Sequence, residues 1–221
     1  MVVAFLTILA EFGINLAPVL AGLGVAGVAV GFGAQALVRD VLNGFFILLE
    51  NQYGLGDVVV VADRAGLVEE VNLRRTVLRD LDGAVHSVPN GEIRIVSNLT
   101  RDWSRVNLNI PVGYETDVDH AVSVLNRIGH DMAADPALGP FIVEAPQVLR
   151  VDALDDSGYA LKVLGVTRPI HQWDVMGELR KRVLQTFPRE GIEIPYPHTV
   201  LLAKEAGHDA TPRRKAKPDA E

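Results

Sequence analysis

The sequence predicts a membrane-spanning helix at the N-terminal end, followed by a small β-barrel-like domain and an α+β domain with the ferredoxin-like order of elements. Three observations support this fold class. The chain carries no charged residue between Glu11 and Arg39. Short strand patterns separated by turn residues follow over residues 58–96, and strand and helix patterns then alternate over residues 106–202. An apolar run of this kind is typical of a bilayer segment, and the two later patterns are typical of folded domains.

The apolar run from Pro18 to Val38 is long enough to cross a membrane. Proline is a favourable first residue of a helix. A helix of these 21 residues at about 1.5 Å per residue is roughly 31 Å long, which matches a hydrocarbon core about 30 Å thick. The sequence therefore predicts a spanning helix.

Glycine is unusually frequent in this predicted helix. The glycines are Gly22, Gly24, Gly27, Gly31 and Gly33. Each would cost a water-soluble helix about 1 kcal/mol relative to alanine, whereas in a bilayer small residues let helix backbones approach closely. We therefore expect a ring of identical helices packed side by side, with an ordinary glycine-rich anchor helix as the alternative.

One motif in this run resembles a dinucleotide-binding loop. Residues 22–27 spell G-x-G-x-x-G. That interpretation requires a strand before the motif and an amphipathic helix after it. Because both flanks are apolar, with no acidic residue at the expected distance, the sequence argues against a nucleotide-binding enzyme.

The amino-acid composition argues against several further classes of protein. The chain has no cysteine and therefore no disulfide framework. Its net charge of −7 argues against a nucleic-acid-binding surface. All 21 lysine and arginine residues follow position 38, which favours a cytoplasmic C-terminal body.

Five segments are expected along the chain. Residues 1–16 are interpreted as the remnant of a preceding membrane helix or as an interfacial stub, and residues 17–50 as the apolar helix with an amphipathic second half. Residues 51–99 form the small β domain and residues 100–203 the α+β domain, while the polar residues 204–221 are expected to be disordered. The second half of the helix either bends and lies along the membrane surface or packs on the domain that follows.

The expected elements follow from hydrophobic periodicity. Strands of the β domain are expected at residues 58–61, 67–73, 76–80, 84–89 and 93–96. The expected turns are residues 63–66, Asp82-Gly83 and Asn90-Gly91, the last two being hairpin signatures. The α+β domain is expected to contain strands at 106–112, 147–154 and 159–166, helices at 117–132 and 175–187, and a final strand that ends at Leu202.

The sequence offers no support for catalysis. The histidines lack metal-ligand spacing; they are His86, His120, His130, His171, His198 and His208. Asp117 and Asp119, beside His120, are expected to cap and stabilise the start of a helix. We therefore expect no enzymatic activity, no metal site and no cofactor.

Seven different short motifs follow one another over about residues 15–202. They are Gly-Val-Ala-Val-Gly-Phe-Gly-Ala-Gln at 27–35, the phenylalanine pair before Leu48, Tyr53-x-x-Gly-Asp57, Leu73-Arg74-x-Thr76-x-Leu-Arg79, Val88-Pro89-Asn90-Gly91, Asn98-Leu99-Thr100-Arg101 and Gly191-Ile-x-Ile-Pro195-Tyr-Pro197. With these motifs the chain closely resembles the family of small-conductance mechanosensitive (MscS) ion channels. Since the family has at least two further membrane helices before its pore helix, the chain resembles an N-terminally shortened member.

The resemblance implies a homoheptamer with a pore-lining helix at residues 17–50, a barrel-like (Sm-like) middle domain and a ferredoxin-like lower domain. It implies a tension-gated channel in the plasma (inner) membrane that passes ions and small solutes during hypo-osmotic stress. The implied partners are other copies of the chain, membrane lipid and the permeating ions and solutes. The alternative is a membrane-anchored oligomeric scaffold with a non-conducting pore.

The resemblance also implies roles for individual residues of the helix. Val28 and Phe32 take the two positions of the hydrophobic constriction, where the family usually has leucine. The implied helix-packing residues are Ala21, Gly24, Gly27, Ala29 and Gly31. Gln35 and Ala36 match the bend, although alanine replaces a common glycine there, and Gly44 matches a second flexible point.

Overall fold

The structure, a computed structural model, describes Phe12 and residues 15–197 of the 221-residue chain. The elements in chain order are helix α1 (Ala17–Leu49), strands β1 (Val58–Val61), β2 (Arg64–Val71), β3 (Arg75–Arg79), β4 (Val85–Pro89), β5 (Val96–Asn98) and β6 (Ser104–Gly113), helix α2 (Val118–Ala134), strands β7 (Ile142–Asp155) and β8 (Gly158–Thr167), and helix α3 (Gln172–Thr186). Short 3₁₀ helices lie at Asn90–Glu92, Gly139–Phe141 and Phe187–Glu190. The interpretation of residues 1–16 falls almost entirely outside the described residues, and that of residues 204–221 does so completely.

Helix α1 is the predicted apolar helix. It begins with Pro18 in its first turn, and the amide of Ala17 donates a hydrogen bond to Oδ1 of Asn15 at 3.0 Å. Its most apolar 18-residue window has a mean hydropathy of 1.8 and contains no buried residue among those that the structure describes. By length and composition α1 can therefore cross a membrane.

The β domain is one antiparallel sheet in the order β4-β3-β2-β1-β5. Buried side chains alternate along β1 and within β2, as the period-2 pattern predicts, whereas Thr76, Val77 and Leu78 of β3 are all buried. The core comprises Ile47, Tyr53, Val59, Val61, Val68, Leu78, Val88 and Ile93. Ile47 belongs to α1, so the helix contributes directly to the core of this domain.

Two turn predictions in the β domain are wrong. The hairpin after β1 turns at Ala62 and Asp63, whose φ angles of 46° and 58° are left-handed, and β2 already begins at Arg64. Asn90 and Gly91 lie in a 3₁₀ helix rather than in a hairpin. Because this turn directs the chain away from β4, strand β5 pairs with β1 and starts at Val96 instead of residue 93.

The α+β domain has the predicted order β6-α2-β7-β8-α3, and its sheet has the order β6-β8-β7. Helices α2 and α3 cover one face, where Val106, Leu125, Leu161 and Leu179 are among the buried side chains. Asp117 caps α2 as expected, since its Oδ1 accepts a hydrogen bond from the amide of His120 at 2.8 Å. The predicted final strand, into which residues 192–195 lead, is not found at residues 196–197, which have no regular secondary structure. The remainder of that predicted strand lies outside the described residues.

Candidate pore helix and its junction with the β domain

The first half of α1 exposes large apolar side chains along its length. Val28 is 60% and Phe32 is 74% exposed within the single chain, and Val25 and Val30 are similarly exposed. A contiguous apolar surface of this kind marks contact with a membrane or with another protein surface. The part of the chain that the structure describes therefore does not supply the apolar surroundings that this half of α1 needs.

The glycines of this half have no packing partner among the residues that the structure describes. A Cβ added to Gly22, Gly24, Gly27, Gly31 or Gly33 would meet no heavy atom of these residues within 4 Å. Their cost in helix propensity is therefore not offset by any contact within Phe12 and residues 15–197. This observation favours close packing against a surface beyond the described residues.

The predicted site residues are arranged along one continuous helix. Val28 and Phe32 are four residues apart and so lie on one face of α1. The predicted packing residues Ala21, Gly24, Gly27, Ala29 and Gly31 lie in the same exposed half. Gln35 and Ala36 are helical and exposed. A single chain cannot bring copies of these residues together, so the constriction, packing and bending roles stay predictions.

The second half of α1 approaches the β domain closely at Gly44. A Cβ at this position would lie 2.1 Å from the carbonyl oxygen of Leu73 and 2.4 Å from Nδ2 of Asn90. Only glycine permits this approach without displacement. The structure thus gives Gly44 a packing reason that the sequence did not indicate, while its role as a flexible point stays a prediction.

Two hydrogen bonds fix the helix to the 3₁₀ turn. The amide of Gly91 donates to Oδ1 of Asp40 at 2.8 Å, and Nδ2 of Asn43 donates to the carbonyl oxygen of Asn90 at 3.1 Å. Ile47, one turn further on, is buried in the β-domain core. Of the two alternatives for the amphipathic half, packing on the following domain is the one found.

A buried network of hydrogen bonds holds the side chain of Asn90 in place. Its Nδ2 donates to the carbonyl oxygen of Asn72 at 2.8 Å, and its Oδ1 accepts from Oγ1 of Thr76 at 3.0 Å. The hydroxyl groups of Thr76 and Tyr53 lie 2.8 Å apart, and burial raises the pKa of Tyr53. Since both polar ends of the buried Asn90 side chain are satisfied, the turn is a rigid platform for α1.

Sequence reasoning missed this junction. The sequence pattern indicates only that the second half of α1 is amphipathic, with Asp40 and Asn43 on its polar side. The available signal was their three-residue spacing, which places both side chains on neighbouring parts of one helix face.

Within residues 15–197, no group of three or more histidine, aspartate or glutamate side chains is arranged to hold a metal ion.

Three family models match successive parts of the chain. Residues 1–35 match "Mechanosensitive ion channel, transmembrane helices 2/3", and residues 36–101 match "Mechanosensitive ion channel, beta-domain". Residues 106–194 match "Mechanosensitive ion channel MscS, C-terminal". The second and third matches correspond to the two domains of the structure.

Similar proteins agree with these models. A small-conductance mechanosensitive channel of Caldanaerobacter subterraneus is 36% identical over 199 residues, which cover 90% of this chain and 70% of that protein. The moderate conductance mechanosensitive channel YbiO of Escherichia coli is 30% identical over 216 residues, which cover 98% of this chain and 29% of that protein.

The fold of the chain is also similar to solved structures of this family. The crystal structure of Helicobacter pylori MscS in its closed state matches with a TM-score of 0.70 at 20% identity, covering 89% of this chain and 77% of that one. At this identity the match concerns the fold alone. The matches come from a family of membrane channels rather than of enzymes. The chain therefore belongs to the MscS family of mechanosensitive ion channels and is a subunit of a tension-gated ion channel.

Proposed function

We propose that α1 lines the central pore of a homoheptamer in the plasma (inner) membrane, and that the channel passes ions and small solutes during hypo-osmotic stress. The observation that carries this proposal is the contrast between the two halves of α1. The first half is apolar and glycine-rich and has no buried residue among those that the structure describes, whereas the second half is fixed to the β domain at Gly44 and Ile47. A ring of such helices buries the first halves against one another and against lipid.

Val28 and Phe32 form the constriction in this proposal. Both side chains are apolar and exposed on one face of α1. A ring of apolar side chains blocks ions by excluding water, without any charged group. Phe32 is the larger of the two and therefore makes the narrower ring.

Small residues allow neighbouring pore helices to pack closely. Gly24, Gly27 and Gly31 form one ridge, and Ala21 and Ala29 form the adjacent one. Small side chains on facing helices bring backbones close enough for extensive van der Waals contact. The open space that the described residues leave around these glycines supports this assignment.

Tension opens the pore because it favours the state with the larger in-plane area. In this proposal the first half of α1 tilts about Gln35 and Ala36, and Gly44 provides a second flexible point. The folded domains lie in the cytoplasm, in agreement with the position of all 21 lysine and arginine residues after residue 38.

The test is patch-clamp recording of the chain in liposomes under graded suction. Tension-dependent conductance steps are expected. Phe32→Ser should lower the opening tension because a hydroxyl group wets the constriction. The matched control is Phe45→Ser, which changes an exposed phenylalanine in the second half of α1 and should leave the opening tension unchanged.

Two outcomes would count against the proposal. If Phe32→Ser and wild type open at the same tension, the constriction lies elsewhere. If a correctly inserted oligomer stays silent at all tensions, the chain is a membrane-anchored scaffold with a non-conducting pore.

A further inference from the structure

The dipeptide Asn-Gly occurs twice in the chain, at Asn43-Gly44 and at Asn90-Gly91. The structure brings the two together. Nδ2 of Asn43 donates a hydrogen bond to the carbonyl oxygen of Asn90 at 3.1 Å, and a Cβ on Gly44 would lie 2.4 Å from Nδ2 of Asn90. Asn-Gly is the dipeptide most prone to spontaneous deamidation, because glycine has no Cβ to hinder the attack of its amide nitrogen. Both Asn-Gly dipeptides therefore lie at the junction between α1 and the β domain.

Deamidation of asparagine proceeds in two steps. The amide nitrogen of the following residue attacks Cγ of the asparagine, and the side-chain amide leaves as ammonia, which gives a five-membered succinimide. Water then opens this ring at either of its carbonyl groups, and the product is aspartate or isoaspartate. The reaction therefore needs a side chain that can rotate towards the following amide and a backbone that can adopt the geometry of the ring.

The junction holds Asn90 in an unreactive geometry. Its side chain is completely buried, with Nδ2 bonded to the carbonyl oxygen of Asn72 at 2.8 Å and Oδ1 bonded to Oγ1 of Thr76 at 3.0 Å. The attacking nitrogen belongs to Gly91 in the 3₁₀ helix, and its N–H donates to Oδ1 of Asp40 at 2.8 Å. Because all these partners belong to the same chain, the protection of Asn90 does not depend on neighbouring subunits.

Asn43-Gly44 is protected in a different way. It lies inside α1, where the helical backbone keeps the amide of Gly44 in the hydrogen-bond ladder and away from the side chain of Asn43. This protection belongs to the helix itself and remains when α1 separates from the β domain. Asn90 is therefore the site whose reactivity depends on the docking of α1.

The product of deamidation does not fit the docked junction. Aspartate at position 90 has no side-chain N–H, so a carboxylate oxygen would face the carbonyl oxygen of Asn72, which lies 2.8 Å from Nδ2 of Asn90. A buried charged oxygen without a donor is costly. Isoaspartate also adds a methylene group to the main chain before Gly91 and so displaces the amide that bonds to Asp40.

We propose that Asn90 is a site of spontaneous deamidation that docked α1 keeps unreactive, and that its conversion to aspartate or isoaspartate prevents α1 from docking again in that subunit. Water is the only co-reactant. The modification thus records, as a covalent change, that the junction of a subunit has been open. It is independent of whether the oligomer conducts ions.

The first test compares the purified oligomer with the same chain unfolded in denaturant. Both are kept at mildly alkaline pH, and deamidation at Asn90 and Asn43 is measured by peptide mass spectrometry. Two hydrogen bonds hold the Asn90 side chain, and each contributes a factor of about five to the local opening equilibrium. We therefore expect Asn90 to react about 25-fold more slowly in the folded oligomer. Equal rates in the folded and the unfolded protein would overturn the proposal.

Gly44→Ala opens the junction and removes the second Asn-Gly dipeptide at the same time. Its Cβ would lie 2.1 Å from the carbonyl oxygen of Leu73, so Asn90 should deamidate about tenfold faster than in wild type. The control Gly177→Ala, where an added Cβ meets nothing within 4 Å, should leave the rate unchanged. If Asn90 is as well protected in Gly44→Ala as in wild type, docking is not the source of the protection. The comparison of folded with unfolded wild type decides the matter even if Gly44→Ala does not fold.

Asn90→Asp reproduces the aspartate product. It should accelerate hydrogen exchange at the amide of Gly91 at least about tenfold, because the docked junction loses a hydrogen bond and buries a charged oxygen without a donor. The matched control is Asn126→Asp. Oδ1 of Asn126 accepts a hydrogen bond from the amide of Val148 at 2.8 Å, which aspartate can also accept, so exchange at Gly91 should stay at its wild-type rate. Wild-type exchange at Gly91 in Asn90→Asp would show that the product fits the junction and would refute the proposal.

Discussion

Replacing Gly44 by alanine tests the junction between α1 and the β domain. The new Cβ would lie 2.1 Å from the carbonyl oxygen of Leu73. Ordinary carbon–oxygen contacts lie near about 3.5 Å, so helix and domain must separate by roughly 1.4 Å. A displacement of that size lengthens the two hydrogen bonds from Gly91 to Asp40 and from Asn43 to Asn90, which measure 2.8 and 3.1 Å.

The expected magnitude follows from these contacts. Overpacking costs about 1–3 kcal/mol, and loss of two hydrogen bonds costs about 1 kcal/mol each. The higher helix propensity of alanine offsets about 1 kcal/mol. We therefore expect Gly44→Ala to lower the free energy of unfolding by about 2–4 kcal/mol.

The assay combines the thermal unfolding midpoint of the purified oligomer with hydrogen exchange at the amide of Gly91. Gly44→Ala should lower the midpoint and accelerate exchange at that amide. The control is Gly177→Ala in α3, where an added Cβ meets nothing within 4 Å. It should be neutral or stabilising by up to about 1 kcal/mol. The reasoning is refuted if Gly44→Ala leaves both the midpoint and the exchange rate at their wild-type values.

Three further predictions concern single side chains. Asp117→Ala should destabilise the α+β domain by about 1 kcal/mol through loss of the helix cap, and Asp117→Asn should restore the wild-type unfolding midpoint; equal midpoints for both variants would exclude a capping role. Asn90→Ala leaves Thr76 without its buried acceptor and should cost about 2–4 kcal/mol, measured by denaturant unfolding; a cost below about 1 kcal/mol would contradict the network. A backbone amide and the Arg182 guanidinium hold the pKa of Asp135 below its ordinary value. Its stabilising contribution is therefore present above the unfolded pKa, about 3.9, and is lost as pH falls through the lower folded pKa. Asp135→Asn should lose less thermal stability than wild type between about pH 6 and pH 2; parallel curves would contradict this.

Local features of the chain could be predicted because they depend on residues close in sequence. The absence of charge from Phe12 to Val38 requires an apolar environment wherever the segment lies. Asp117 caps α2 through the amide of His120, only three residues away. The strand and helix order of the α+β domain follows from periods of 2.0 and 3.6 residues.

The predictions that were wrong concern residues that have both local and distant hydrogen-bonding partners. Asn90-Gly91 is a strong local hairpin signal. In the structure Asn90 instead bonds to Asn72 and Thr76, and Gly91 bonds to Asp40. These distant contacts outweigh the local turn preference, and the chain is thereby directed so that β5 pairs with β1.

The sequence by itself determined that the chain has a bilayer-length apolar helix, a β domain of short strands and an α+β domain, because apolar run length and periodicity are properties of neighbouring residues. Only the tertiary structure decided how α1 is attached. The hydrogen bonds that fix it join residues 47 and 51 positions apart, and the close approach at Gly44 becomes visible only when Leu73 and Asn90 are in place. Such contacts arise from the packing of whole elements, and no local pattern encodes their geometry.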